Sequence, residues 1–108
     1  MMVARWSIDA KFGYKQNVID LMRRWETEIA PQAGFTADKM RLITGSIGAL
    51  EATVQSEALV KDLAELNQAW DKLGTIAAHK LWSKELEPFV VSGTNRWEIY
   101  RVIDQVPV

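Results

Sequence analysis

Apolar and polar side chains alternate along residues 2–12. Met2, Ala4, Trp6, Ile8, Ala10 and Phe12 fall on one side; Val3, Arg5, Ser7, Asp9 and Lys11 fall on the other. A period of two is that of a β-strand with one dry face. The next stretch, "YKQNVIDLMRRWETEIAPQAG", changes to a helical period. Val18, Leu21, Met22, Trp25 and Ile29 make one stripe, with Asp20, Arg23, Arg24, Thr27 and Glu28 off it. Pro31 and Gly34 close that segment.

"DKMRLITGSIGALEATVQS" reads as two strands with Ser46, Ile47 and Gly48 at the turn. A second helical seam follows through Leu59, Leu63, Leu66, Trp70 and Leu73. Ser56 is the expected N-cap of this helix, with Glu57 at the positive end of its dipole. Gly74 is expected to break it, because glycine costs about 1 kcal/mol in a helix interior. Thr75 then caps a second piece that runs to about Glu87, where Pro88 stops it. "RWEIYRVI" at 96–103 is aromatic and β-branched, so it is a final strand.

The order β-α-β-β-α-β is the ferredoxin-like plan of the α+β class. It predicts a four-stranded antiparallel sheet with two helices on one face, the second helix long and broken. Residues 1–108 are read as one domain of this kind. Trp6, Ile8, Phe12, Leu42, Val54 and Ile99 are expected to face the helices. Arg5, Ser7, Asp9, Arg41, Thr53, Gln55, Glu98 and Tyr100 are expected on the open face. That face is mixed in character, which suits either solvent or a cavity closed by a second subunit.

Composition narrows the function. Thirteen basic and fourteen acidic residues give a net charge of −1. With no basic stripe interleaved with aromatics, nucleic acid is not an expected partner. The chain has no cysteine, which removes disulfides, thiol catalysis and iron–sulfur clusters and fits a reducing, cytoplasmic setting. The N-terminal stretch has no apolar core of the kind a secretory signal needs. The longest uncharged run, "LITGSIGAL", is too short to span a bilayer, so no membrane partner is expected. Five tryptophans are many for this length, and some are expected to serve a pocket or a subunit interface.

The second half resembles the dimeric α/β-barrel superfamily, and most closely its NIPSNAP-like branch. The resemblance runs from "RLITGSIGALEATVQSEALVKDLAELNQAWDKL" through "HKLWSKELEPFVVSGTNRWEIYRVI". It rests on the "GSIG" hairpin, a strand ending in Ser56-Glu57-Ala58-Leu59 that opens a helix, a tryptophan-bearing second piece, and "EPFVVSGTNRWEIYRV". With the first strand and helix in order, it covers nearly the whole chain. It implies a homodimer whose open sheet faces meet to form a barrel with side pockets. The superfamily includes cofactor-independent monooxygenases, haem-degrading enzymes, lactone isomerases and proteins without known activity. These motifs are turns, caps and core positions, so no catalytic residue is carried over from it.

The chemistry must be argued from few residues. His79 is the single histidine, on a helical face with Ile76, Trp82, Leu86 and Phe89. It reads either as a packed helix residue, as a dimer contact, or as the base of a pocket with Trp82 in its wall. Tyr100 and Asp9 are the next candidates for acid–base work. Arg5, Trp6, Trp82 and Glu98 are the candidate ligand-binding residues, Arg5 as an anion anchor. An ordinary cross-strand ion pair is the bland reading of Arg5 with Asp9 or Glu98. One histidine without cysteine cannot make the usual zinc or non-haem iron sets. No cofactor is expected, and an axial haem ligand at His79 is the one alternative. Trp25, Trp70 and Trp97 are read as core. "RRWETE" at 23–28 is read as a solvated helix face. Two functions from different classes remain: a small-molecule binder with possible oxygenase or isomerase activity, and a non-catalytic homodimeric interaction module.

Overall fold

The computed structural model describes residues 1–104. Strand β1 spans Met2–Asp9 and helix α1 spans Lys15–Arg24. The chain then makes a π-helical turn at Trp25–Ile29 and a tight 3-10 turn at Ala30–Ala33. Strands β2 (Met40–Thr44) and β3 (Thr53–Val60) form a hairpin. Helices α2 (Leu63–Leu73) and α3 (Ala77–Leu86) follow, and β4 (Arg96–Arg101) ends the sheet. The sheet order is β2-β3-β1-β4, antiparallel throughout. This is the ferredoxin-like plan, with the broken second helix resolved as two.

Register explains the two faces. Trp6 lies opposite Ser56 and Trp97, and Ala4 opposite Ala58 and Ile99, all on the helix side. Arg5 lies opposite Glu57 and Glu98 on the open side. Beneath the helices, Ala4, Ile8, Val54 and Val60 of the sheet are buried against Val18, Met22, Leu66, Ala69 and Leu86. Val18 and Leu66 are fully enclosed, as the helical stripes require.

Three local expectations are corrected. Phe12 is fully exposed and does not reach the helices. The strand ends at Asp9, and the chain turns through Gly13, at a φ of 85°, into α1. Ser56 and Glu57 do not open a helix; they lie inside β3, which runs on to Val60, and Leu59 points away from the helical seam. The helix starts after Asp62. The Asp62 carboxylate accepts the Glu65 backbone N–H at 2.9 Å, and the Glu65 carboxylate reaches back to the Lys61 N–H. This cap satisfies one of the donors that a helix start leaves free, the Glu65 N–H, and ties the residue preceding the cap back to the first turn. Thr75 does not cap α3. Ile76 holds that position, and the Thr75 hydroxyl donates to the Lys72 carbonyl of α2.

Glycine is required at two places. Gly34 takes a φ of 100° to end the first helical segment. At Gly45 an added Cβ would fall 1.9 Å from the Leu50 carbonyl oxygen across the hairpin.

Asp62→Ala is expected to lower stability by about 1 kcal/mol, with Asp62→Asn retaining most of it. Urea denaturation followed by far-ultraviolet circular dichroism measures this. Equal stability of all three forms would show that the cap contributes nothing.

Candidate functional site

A cavity of about 430 Å³ lies between the inner face of the sheet and the helices. Its floor is Ala4, Trp6, Met40, Ser56, Ala58 and Trp97. Its roof is Met22 and Trp25 from the first helical segment, Trp70 and Leu73 from α2, and His79, Trp82 and Ser83 from α3. All five tryptophans of the chain therefore meet in one place. Trp6, Trp25 and Trp82 are linked through ring centroids 6.1–6.3 Å apart, and Trp97 stands edge-on to Trp70 at 5.3 Å. Trp25, Trp70 and Trp97 thus line the cavity as Trp6 and Trp82 do.

His79 is half-buried in the roof and stacks on Trp82 with ring centroids 6.0 Å apart. Its Nδ1 accepts the indole N–H of Trp25 at 2.9 Å. An indole N–H only donates, so Nδ1 carries no proton, and the neutral ring holds its proton on Nε2. Burial pushes the His79 imidazole below its ordinary value of 6.5, favouring that neutral form. The Trp82 indole is fixed separately, donating to the Leu21 carbonyl at 2.6 Å. The Trp70 indole nitrogen is buried and has no hydrogen-bond partner among the described residues.

The second polar element is Ser56, buried on an otherwise apolar inner row of β3. Its hydroxyl donates to Glu26 Oε2 at 3.0 Å. Glu26 sits in the π-helical turn directly after Trp25; Glu26 reaches Ser56 of the sheet and Trp25 lines the cavity. Burial raises the Glu26 carboxyl above its ordinary 4.5, and the Ser56 hydrogen bond offsets this only in part. Reading "RRWETE" as a solvated face missed Glu26, and reading Ser56 as a cap missed its partner. A π turn has no signature in the helical period, so the pairing had no signal in the sequence.

The other candidate residues lie on the opposite face of the sheet. Arg5 donates to Glu57 Oε2 at 2.7 Å, and Arg41 donates to Glu57 Oε1 at 2.5 Å. Arg5 also stacks its guanidinium 4.7 Å from the Tyr100 ring centre, and Tyr100 donates to Glu98 at 3.2 Å. Burial alone would raise the Glu57 carboxyl, but the two arginines together hold it below the usual carboxylate range. Arg5 is thus already paired within the chain. Asp9 ends β1 and accepts the Thr53 hydroxyl at 2.6 Å. His79, Trp6 and Trp82 are brought together in the cavity, whereas Arg5, Glu98, Tyr100 and Asp9 are separated from it by the thickness of the sheet.

Among the described residues no group of three or more His, Asp or Glu side chains is placed to hold a metal ion. Haem is a poor fit to His79. Iron at Nε2 leaves the proton on Nδ1, where it would face the Trp25 N–H and break that bond. No helix among the described residues is long and apolar enough to cross a membrane.

The His79 midpoint, followed by nuclear magnetic resonance of the imidazole, is expected below 6.5, with the Nε2–H tautomer at neutral pH. Because the folded value is depressed, the stability His79 contributes is present above 6.5 and is lost as pH falls through the folded value. Urea unfolding from neutral to mildly acidic pH, compared with His79→Phe, measures that loss. A midpoint at or above 6.5 would contradict it.

No protein-family model and no curated protein sequence matches the chain. Solved structures do match. A NIPSNAP family protein from Agrobacterium tumefaciens superposes with a TM-score of 0.79 at 18% identity, over 99% of this chain and 97% of that one. An uncharacterized NIPSNAP-like domain protein from Burkholderia xenovorans gives 0.78 at 15%, over 99% and 89%. SnoaB, a cofactor-independent oxygenase from Streptomyces nogalater in a mutant form, gives 0.67 at 12%, over 99% and 98%. The chain has the fold that NIPSNAP proteins share with this oxygenase.

Proposed function

We propose that the chain binds a small, mainly apolar, ring-bearing molecule in the cavity between the sheet and the helices. The observation that carries this reading is the convergence of all five tryptophans around about 430 Å³, with His79 in the wall. That size and lining are those of a small-molecule site, in which an apolar wall gives affinity and a few polar atoms give orientation. If the site is reactive, cofactor-independent oxygenation or isomerisation suits it. The cavity supplies desolvation and orientation, and the ligand supplies the reactivity.

The reading includes a homodimer formed through the open sheet face. Val3, Leu59 and Tyr100 lie together there by register, and Leu59 and Tyr100 are more than a third exposed. Such a pairing would cover them and leave the cavity on the other side of the sheet.

Titration with naphthalene is expected to change the tryptophan fluorescence saturably. Ser83→Trp, at an exposed position on the cavity rim, is expected to weaken that binding by about tenfold by filling the entrance. Absence of any saturable change in the unmodified protein would overturn the ligand-site reading. In light scattering after size exclusion, the protein is expected at twice the mass of one chain, and Leu59→Glu is expected to shift it toward the monomer. A monomeric unmodified protein would remove the dimer.

A further inference from the structure

We propose that the cavity grips its ligand between two polar atoms of opposite sense: the His79 Nε2–H as hydrogen-bond donor and the Ser56 hydroxyl oxygen, backed by Glu26, as acceptor. The inference rests on the reading of the cavity as a ligand site and gives that site its polarity.

Each sense follows from a bond already made. Trp25 donates to His79 Nδ1 at 2.9 Å, so Nδ1 is occupied as an acceptor and the ring's proton is on Nε2. Nε2 has no partner among the described residues, while the ring itself is part of the cavity wall. Ser56 gives its proton to Glu26 at 3.0 Å, which turns the oxygen lone pairs of Ser56 toward any other partner as acceptors. Ser56 also lines the cavity. The two atoms come from different elements, α3 and β3, on the roof and floor of one space.

This arrangement gives His79 a different role from a base. To take up a proton at Nε2, the ring would have to shift its own proton to Nδ1, against the Trp25 N–H. His79 is therefore an electrophilic contact for a carbonyl, ether or oxyanion. A proton leaving a ligand hydroxyl has another route. The ligand O–H breaks as an O–H forms on Ser56, and the original Ser56 proton passes to the Glu26 carboxylate. One proton moves from the ligand to Glu26, and the ligand keeps the electron pair as an anion. Burial acts on both groups in the matching direction, keeping the His79 ring neutral and raising the proton affinity of Glu26. The ligand class that satisfies both atoms is an apolar ring carrying one hydrogen-bond acceptor and one hydroxyl donor.

The test uses three probes of similar shape: naphthalene with no polar group, acetylnaphthalene with an acceptor only, and indole with an N–H donor only. Affinities are measured by isothermal titration calorimetry. His79→Phe is expected to weaken acetylnaphthalene about fivefold and leave indole within about twofold, the loss of one ordinary hydrogen bond. Ser56→Ala is expected to do the reverse. Trp25→Phe, which frees the His79 tautomer without removing the ring, is expected to lower the preference for acetylnaphthalene and provides a second variant should His79→Phe fold poorly. Equal losses for acetylnaphthalene and indole in each variant, or no loss in either, would overturn the assignment while naphthalene binding kept the ligand-site reading alive. Failure of all three probes to bind the unmodified protein would overturn both.

Discussion

The two-residue period of β3 sends Ser56 and Glu57 to opposite faces of the sheet, and each face depends on the residue it receives. On the open face, Glu57 joins Arg41 of β2 to Arg5 of β1 and so ties three strands by side chains as well as by the backbone ladder. On the inner face, Ser56 ties the same strand to Glu26 above it. A one-residue slip of β3 would bring a carboxylate beneath the helices and a serine between two arginines. A buried carboxylate without its cations is among the costlier faults a fold can carry. The register of the central strand is therefore specified from both sides, more tightly than by apolar patterning alone.

The cavity survives beneath this sheet because of what surrounds it. Leucine or methionine can adjust rotamers to fill a gap, but an indole is a rigid plate with a polar edge that must find a partner when buried. Trp82 is pinned by the Leu21 carbonyl and Trp25 by His79. Once those edges are fixed, the plates cannot swing inward to collapse the space. Trp70 breaks the pattern, since its indole nitrogen is buried without a partner among the described residues. Such an orphaned donor is destabilising by an amount comparable to a lost hydrogen bond. It marks the part of the wall where hydrogen bonding, rather than ring packing, is left incomplete.

The sequence made the frame legible and left the site only half visible. Alternation in β1 and the stripes of the helices depend on local periods, so the element order and the division of Arg5, Tyr100 and Glu98 from Trp6 were readable. The start of α2 was not. "TVQSEALV" has apolar residues at both strand and helix spacings, and Ser56-Glu57 looks like a cap. The competing cap, Asp62 with Glu65, lay six residues later and prevailed because β3 gains a full ladder against β1 by running on to Val60. Glu26 was hidden for a different reason. Its role arises from a π turn and from a serine thirty residues away, and no local pattern encodes either. The gathering of five tryptophans in one cavity is likewise a property of the tertiary fold.

The two glutamates held by β3 respond to acid in opposite ways, and that opposition bears on the site. Glu57 has a lowered folded value, so the stability it contributes is present above 4.5 and is lost as pH falls through the folded value. Glu26 has a raised folded value, so its favourable contribution is present below 4.5 and is lost as pH rises through the folded value. Burial therefore works against ionisation of Glu26, while on the other face of the same strand the two arginines favour ionisation of Glu57. The two meet through adjacent residues of β3: Ser56 holds Glu26 on the inner face, and Glu57, next in sequence, anchors the strand to β1 and β2 through Arg5 and Arg41.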